Sequence, residues 1–229
     1  MAERSIQIAI DGPAASGKST VARLSAERLN GYYINTGDMY RAVTWKILSH
    51  GIDPEQSPDT VAALLPSLNL RYRRTGPGQV QLYFDDVPVP RDKIRAPGVA
   101  ANVSQVARLT VVREWLINRQ RETAELGLIV MEGRDIGTVI FPDAAFKFYI
   151  TASPEVRARR RLRQKEENPP DATVATVAAE IARRDRIDST RAVAPLRPAD
   201  DAIIIETDDL TAEEVTERVV RTVEEEKEA

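Results

Sequence analysis

Residues Gly12-Pro13-Ala14-Ala15-Ser16-Gly17-Lys18-Ser19 fit the pattern G-x-x-x-x-G-K-[ST], and they follow an apolar run, Ile6 to Ile10, that reads as a buried strand. A strand, a glycine-rich loop and a helix in that order form a cradle for nucleotide phosphates. The loop must close backbone N–H groups around phosphate oxygens, and a side chain at either glycine would block the approach. The helix expected from Thr20 to Leu29 adds its N-terminal dipole. Gly12 through Thr20 are therefore the expected binding loop for a nucleoside triphosphate such as ATP. Lys18 is placed to reach the β and γ phosphates, and the Ser19 hydroxyl to ligate magnesium.

Four more apolar runs suit a buried parallel sheet: Tyr32–Ile34, Leu128–Met131, Phe146–Ile150 and Ile203–Ile205. Helical periodicity lies between them, at 19–29, 38–49, 111–125, 154–167, 173–186 and 212–225. This alternation predicts an α/β three-layer sandwich with ligands at the carboxyl ends of the strands. Residues 68–94 break the repeat. There Leu70–Arg73, a Gly76-Pro77-Gly78 turn, Val80–Phe84 and Val87–Val89 alternate with period two, which predicts a small antiparallel insert.

Composition narrows the chemistry. The 229 residues include no cysteine and one histidine, His50, so thiolate chemistry and sulfur- or imidazole-ligated metals are out of reach. Any metal should be oxygen-bound, hence Mg²⁺. No stretch approaches the ~20 apolar residues of a membrane span, and no signal-peptide core follows the first methionine, so a cytoplasmic address without membrane contact is expected. The net charge of −3 argues against a nucleic-acid partner, although arginines crowd 157–163 and 183–191.

The phosphate loop alone does not choose between kinases, switch GTPases and motor ATPases, because all share it. A D-x-x-G switch and a late N-K-x-D are missing. Instead Asn35-Thr36-Gly37-Asp38-Met39-Tyr40-Arg41 closes the second strand and Gly133-Arg134-Asp135 the third. With Ser104-Gln105-Val106-Ala107, the stretch Gly133–Pro142, Arg184–Arg191 and Ala192–Leu196, these motifs resemble the bacterial cytidylate kinases nearly end to end.

That resemblance implies a nucleoside-monophosphate-kinase fold with a five-stranded parallel core in order 2-3-1-4-5. The core would span 1–67 and 95–229, with a monophosphate-binding insert at 68–94 and a helical lid at about 154–170. It implies transfer of a phosphoryl group from ATP to CMP or dCMP, the small-molecule substrates of an expected monomer. Arg41, Arg134 and Arg191 would hold the acceptor phosphate; Asp135, with Ser104 and Arg113, would read the cytosine; Arg184 and Asp188 would contact the ribose. Thr36 joins the acceptor site.

The chemistry agrees with the resemblance. With a second phosphate pKa of about 6, CMP is mostly a dianion and already a nucleophile, so no general base is required. What remains is alignment of two polyanions and neutralisation of the transferring group, for which the planar arginine fork is suited. Lys18, Arg134, Arg157, Arg161 and Arg191 are the expected catalytic cations. On a helix Arg157, Arg160 and Arg161 share a face and would descend together on the triphosphate. A carboxylate accepts from the N4 amine of cytosine, whereas uracil turns a carbonyl towards it. Two residues depart from the family pattern: Asn35, where aspartate is common, and Asp38, where a small or apolar residue is usual. The rival readings are a kinase for UMP, AMP or shikimate, a nucleotide-binding switch without turnover, and an RNA-binding protein; Asp135, the insert, the missing switch loops and the acidic total weigh against them.

Overall fold

The computed structural model describes residues 5–163, 172–191 and 193–228. The chain opens with β1 (Gln7–Asp11), α1 (Lys18–Arg28), β2 (Tyr32–Asn35), α2 (Thr36–Ser49) and α3 (Pro58–Leu64). A second sheet follows, β3 (Leu70–Gly76), β4 (Gln79–Phe84) and β5 (Val87–Pro88), then α4 (Arg91–Ile94), α5 (Pro97–Val106) and α6 (Thr110–Arg121). The main sheet resumes with β6 (Ile129–Gly133) and β7 (Phe146–Thr151), and the chain ends through α7 (Pro154–Leu162), α8 (Val174–Ser189), β8 (Ile203–Glu206) and α9 (Ala212–Glu228).

The five apolar runs pair as one parallel sheet in the order β2-β6-β1-β7-β8, which is 2-3-1-4-5 in core-strand numbering. Their continuous apolarity follows from burial on both faces. Ile8 and Ile10 face α1 and α9, meeting Val21, Ala22, Val215 and Val219, while Ala9, Ile34 and Met131 pack on the opposite side with Ile136 and Ile140. Register aligns Asp11 with Gly133 and Tyr149, and Asn35 with Glu132, so the strand ends open onto one edge.

The period-two segment forms the antiparallel sheet β3-β4-β5, turned by Gly78 at φ +65°. Its Leu70, Leu82 and Phe84 share a core with Met39, Val43 and Ile47 of α2 and Leu116 of α6, and Trp45 and Trp115 pack at the margin of that cluster. The tryptophans therefore belong to packing. His50, exposed at the end of α2, meets the Lys46 carbonyl at 2.8 Å.

Element bounds differ from the periodicity in instructive ways. α2 starts two residues early because the Asn35 side chain accepts from the Asp38 N–H at 3.2 Å and caps it. The helix expected at 111–125 ends at Arg121 and tightens into a 3-10 turn, Glu122–Leu126, before Gly127 at φ +99°. α5 carries Gly98 and three valines, so intrinsic propensity argues against it; burial of Val99, Val103 and Val106 on one face makes it a helix. Of the expected lid at about 154–170, residues 164–170, with Glu166, Glu167, Pro169 and Pro170, lie outside the described residues, as does Ala192.

Candidate active site

The phosphate loop leaves β1 at Asp11. A Cβ on Gly12 would stand 2.1 Å from the Ile150 carbonyl oxygen, so only glycine lets the loop pass against β7. Gly17 at φ +94° turns the chain into α1. Ala15 also takes a left-handed conformation, φ 59°, without being glycine. The Lys18 ammonium is buried and donates to the Pro13 carbonyl at 3.0 Å. Burial, then the nearby Arg134 charge, lowers its pKa to about 7. The Asp11 carboxylate accepts from the N–H groups of Ile136 and Gly137, both at 2.8 Å, and so ties the end of β1 to the loop carrying Arg134 and Asp135. Burial raises the Asp11 pKa to about 7 against the pull of those two donors.

Beyond the strand ends lies a cleft of about 1000 Å³. Most of the expected residues line it: Ala14 to Thr20, Thr36, Arg41, Ser104, Arg113, Arg134, Asp135, Arg161, Arg184, Asp188 and Arg191. In the same cleft, Arg113 and Asp135 form a buried ion pair, with the guanidinium 5.7 Å from the centre of the Tyr40 ring. Burial raises the Asp135 pKa, with Arg113 and Arg191 opposing it. Arg134 Nε donates to Asp188 Oδ2 at 3.0 Å, and Arg191 NH1 stands 3.7 Å from Asp188 Oδ1. Asp188 thus holds two of the expected phosphate-binding arginines side by side. Arg184 Nε is buried without a hydrogen bond, and burial, then Arg134, draws its pKa down to about 10. Such a cluster of desolvated cations is set up to receive an anion. Thr36 turns its hydroxyl inward, to the Glu132 carbonyl at 2.8 Å.

Glu132 escaped the sequence reading. It ends the apolar run of β6, beside β1, where a buried charge at a strand's carboxyl end is itself the signal. Its Oε2 accepts from the Ser19 hydroxyl at 2.7 Å and its Oε1 from the Tyr33 hydroxyl at 2.5 Å; Asn35 Nδ2 donates to that phenol oxygen at 3.1 Å. Asp38 pairs with Arg95, and burial pushes its carboxyl up with Arg95 opposing.

The shared-face expectation for the lid arginines needs correction at Arg157. Gly12, Pro13 and Arg157 do not line the cleft. Arg157 sits in the first turn of α7, and its buried side chain reaches the residue after β7, the phosphate loop and α8. Nε donates to the Ala152 carbonyl at 3.0 Å; NH1 donates to the Ala14 carbonyl at 3.2 Å and pairs with Asp185 at 2.5 Å. Arg160 reaches the Ser16 carbonyl at 3.2 Å and Thr207 Oγ1 at 2.9 Å, while Arg161 does line the cleft.

A phosphate cradle, an arginine cluster and a buried carboxylate along one cleft narrow the choice among P-loop proteins, and the comparisons decide it. The chain matches the cytidylate kinase family over residues 8–225. The chain belongs to that family. A cytidylate kinase of Geobacillus kaustophilus is 46% identical over 97% of this chain and 98% of its own length. A bifunctional pantoate ligase/cytidylate kinase of Synechococcus elongatus is 45% identical over 93% of this chain, which spans 41% of that relative's length. An uncharacterized protein from Eubacterium ventriosum shares the fold, with a TM-score of 0.52 at 14% identity over 96% of this chain and 98% of that one. Among the described residues no helix is long and apolar enough to cross a membrane, and no group of three or more His, Cys, Asp or Glu could hold a metal ion.

Proposed function

We propose that this cytidylate kinase family member transfers the γ-phosphoryl group of ATP to CMP or dCMP, giving ADP and CDP or dCDP, by direct in-line attack of the acceptor phosphate. The observation that carries this reading is the buried Asp135–Arg113 pair lining the cleft that the phosphate loop also lines. A carboxylate held there accepts from a cytosine amine and repels a uracil carbonyl. Arg41, Arg134 and Arg191 bind the acceptor phosphate. Gly12 to Thr20, Lys18 among them, bind ATP, and the 68–94 insert and the lid at about 154–170 act as acceptor-side and donor-side closing units.

The donor set fits Mg²⁺. Ser19 Oγ and Glu132 are the protein oxygens within reach of one another, and Mg²⁺ needs few protein ligands because it keeps waters and phosphate oxygens in its shell. Bound there, it would neutralise charge on the β and γ phosphates.

Asp135→Asn tests the reading while sparing Arg113 from burial opposite an apolar gap. Removing the charged acceptor from a buried amine costs about 1–3 kcal/mol, roughly 5- to 150-fold in kcat/KM for CMP. UMP turnover should fall less or rise, because the amide can donate to the uracil carbonyl. An unchanged CMP-to-UMP ratio would contradict the assignment.

A further inference from the structure

Asp185 has no role in the reading above, yet it joins the two halves of the site. It follows Arg184 and precedes Asp188 by three residues on α8, so one helical turn carries two residues assigned to the acceptor and one that points the other way. Its Oδ1 accepts from the Ala14 N–H at 3.4 Å, and its Oδ2 pairs with Arg157 NH1 at 2.5 Å. The same Arg157 nitrogen donates to the Ala14 carbonyl at 3.2 Å. Both polar groups of a single phosphate-loop residue, N–H and C=O, are therefore clasped by one ion pair. The next residue, Ala15, is the one left-handed alanine of the loop, a backbone state that persists only where neighbours enforce it. Ala15 also packs on the small cluster of Ala158, Val177 and Ile181 at the junction of α7 and α8.

We infer that Asp185 and Arg157 are positioning residues that hold the phosphate loop in its anion-binding shape from outside the cleft. Neither touches substrate. Arg157, buried and bonded to Ala152, fixes the clasp to β7, and Asp185 fixes it to α8. A loop held ready binds triphosphate without first paying to order itself.

This inference rests on the kinase reading, and binding measurements separate the two. Wild-type turnover with MgATP and CMP tests the reading. Calorimetric titration with a non-hydrolysable ATP analogue, and separately with CMP, tests the clasp. Asp185→Asn keeps an acceptor for Ala14 but loses the charge facing Arg157; affinity for the analogue should drop roughly 5- to 20-fold, and CMP affinity less than about twofold. If Asp185→Asn does not fold, Arg157→Lys carries the same test, since a lysine cannot serve Ala152, Ala14 and Asp185 together. The double variant should lose no more than the worse single one. The clasp is overturned by analogue affinity that stays at the wild-type value in a folded variant, by equal losses for both ligands, or by additive losses in the double variant.

Discussion

Lys18 is the most perturbed cation of the phosphate loop. Burial and Arg134 penalise its ammonium and lower its pKa to about 7. Lowered in the fold, it contributes stability that is present at alkaline pH and lost as pH falls through about 7. A triphosphate reverses the local field and restores the charged form. ATP binding at pH 8 should therefore take up about one proton, and affinity should weaken as pH rises above about 7. Calorimetry at pH 8 in two buffers of different ionisation enthalpy checks this; a binding enthalpy independent of buffer would contradict it. Glu132 makes a second residue-level prediction. Glu132→Gln should raise the Mg²⁺ concentration for half-maximal rate by about 10–100-fold, read from a metal titration of initial rates, while metal-free nucleotide binding stays close to that of the wild type.

At the scale of elements, capping decides bounds and packing decides existence. Asn35 caps α2 and also donates to Tyr33, behind Glu132. Asn35→Ala should cost about 1 kcal/mol, a fall of roughly 2–4 °C in Tm for a domain of this size, read by thermal unfolding. The parallel strands were legible because burial on both faces leaves an uninterrupted apolar run, and the insert because a half-covered sheet alternates. α5 was not legible, since valines and a glycine make a helix there only when Val99, Val103 and Val106 are buried and α5 packs on α2. That most of the motif residues come to line one cleft has the same cause as the phosphate loop: fixed backbone demands fixed spacing. Arg157 was misread because helical spacing places side chains on a face without saying which face is buried, and in the first turn of α7 the buried side is the phosphate loop. Glu132 was missed because a single acid carries no motif spacing; its place at the carboxyl end of an apolar run beside β1 is the one signal for it.

The whole molecule sets the phosphate loop and an arginine cluster, proposed here as donor cradle and acceptor site, at one end of the sheet, with Asp11 and Asp188 as buried struts. Nothing in that plan needs a side chain that abstracts a proton, because the acceptor arrives already ionised. The plan accounts for an enzyme with one exposed histidine and no cysteine. Its central claim is the choice of acceptor, and ADP formation from MgATP with CMP, dCMP, UMP, AMP, GMP and shikimate offered in turn tests it most directly. CMP and dCMP should be turned over with kcat/KM at least about tenfold above every other acceptor, a discrimination within reach of one buried carboxylate. Equal turnover of UMP, preference for shikimate, or ATP binding without phosphoryl transfer to any acceptor would contradict the account.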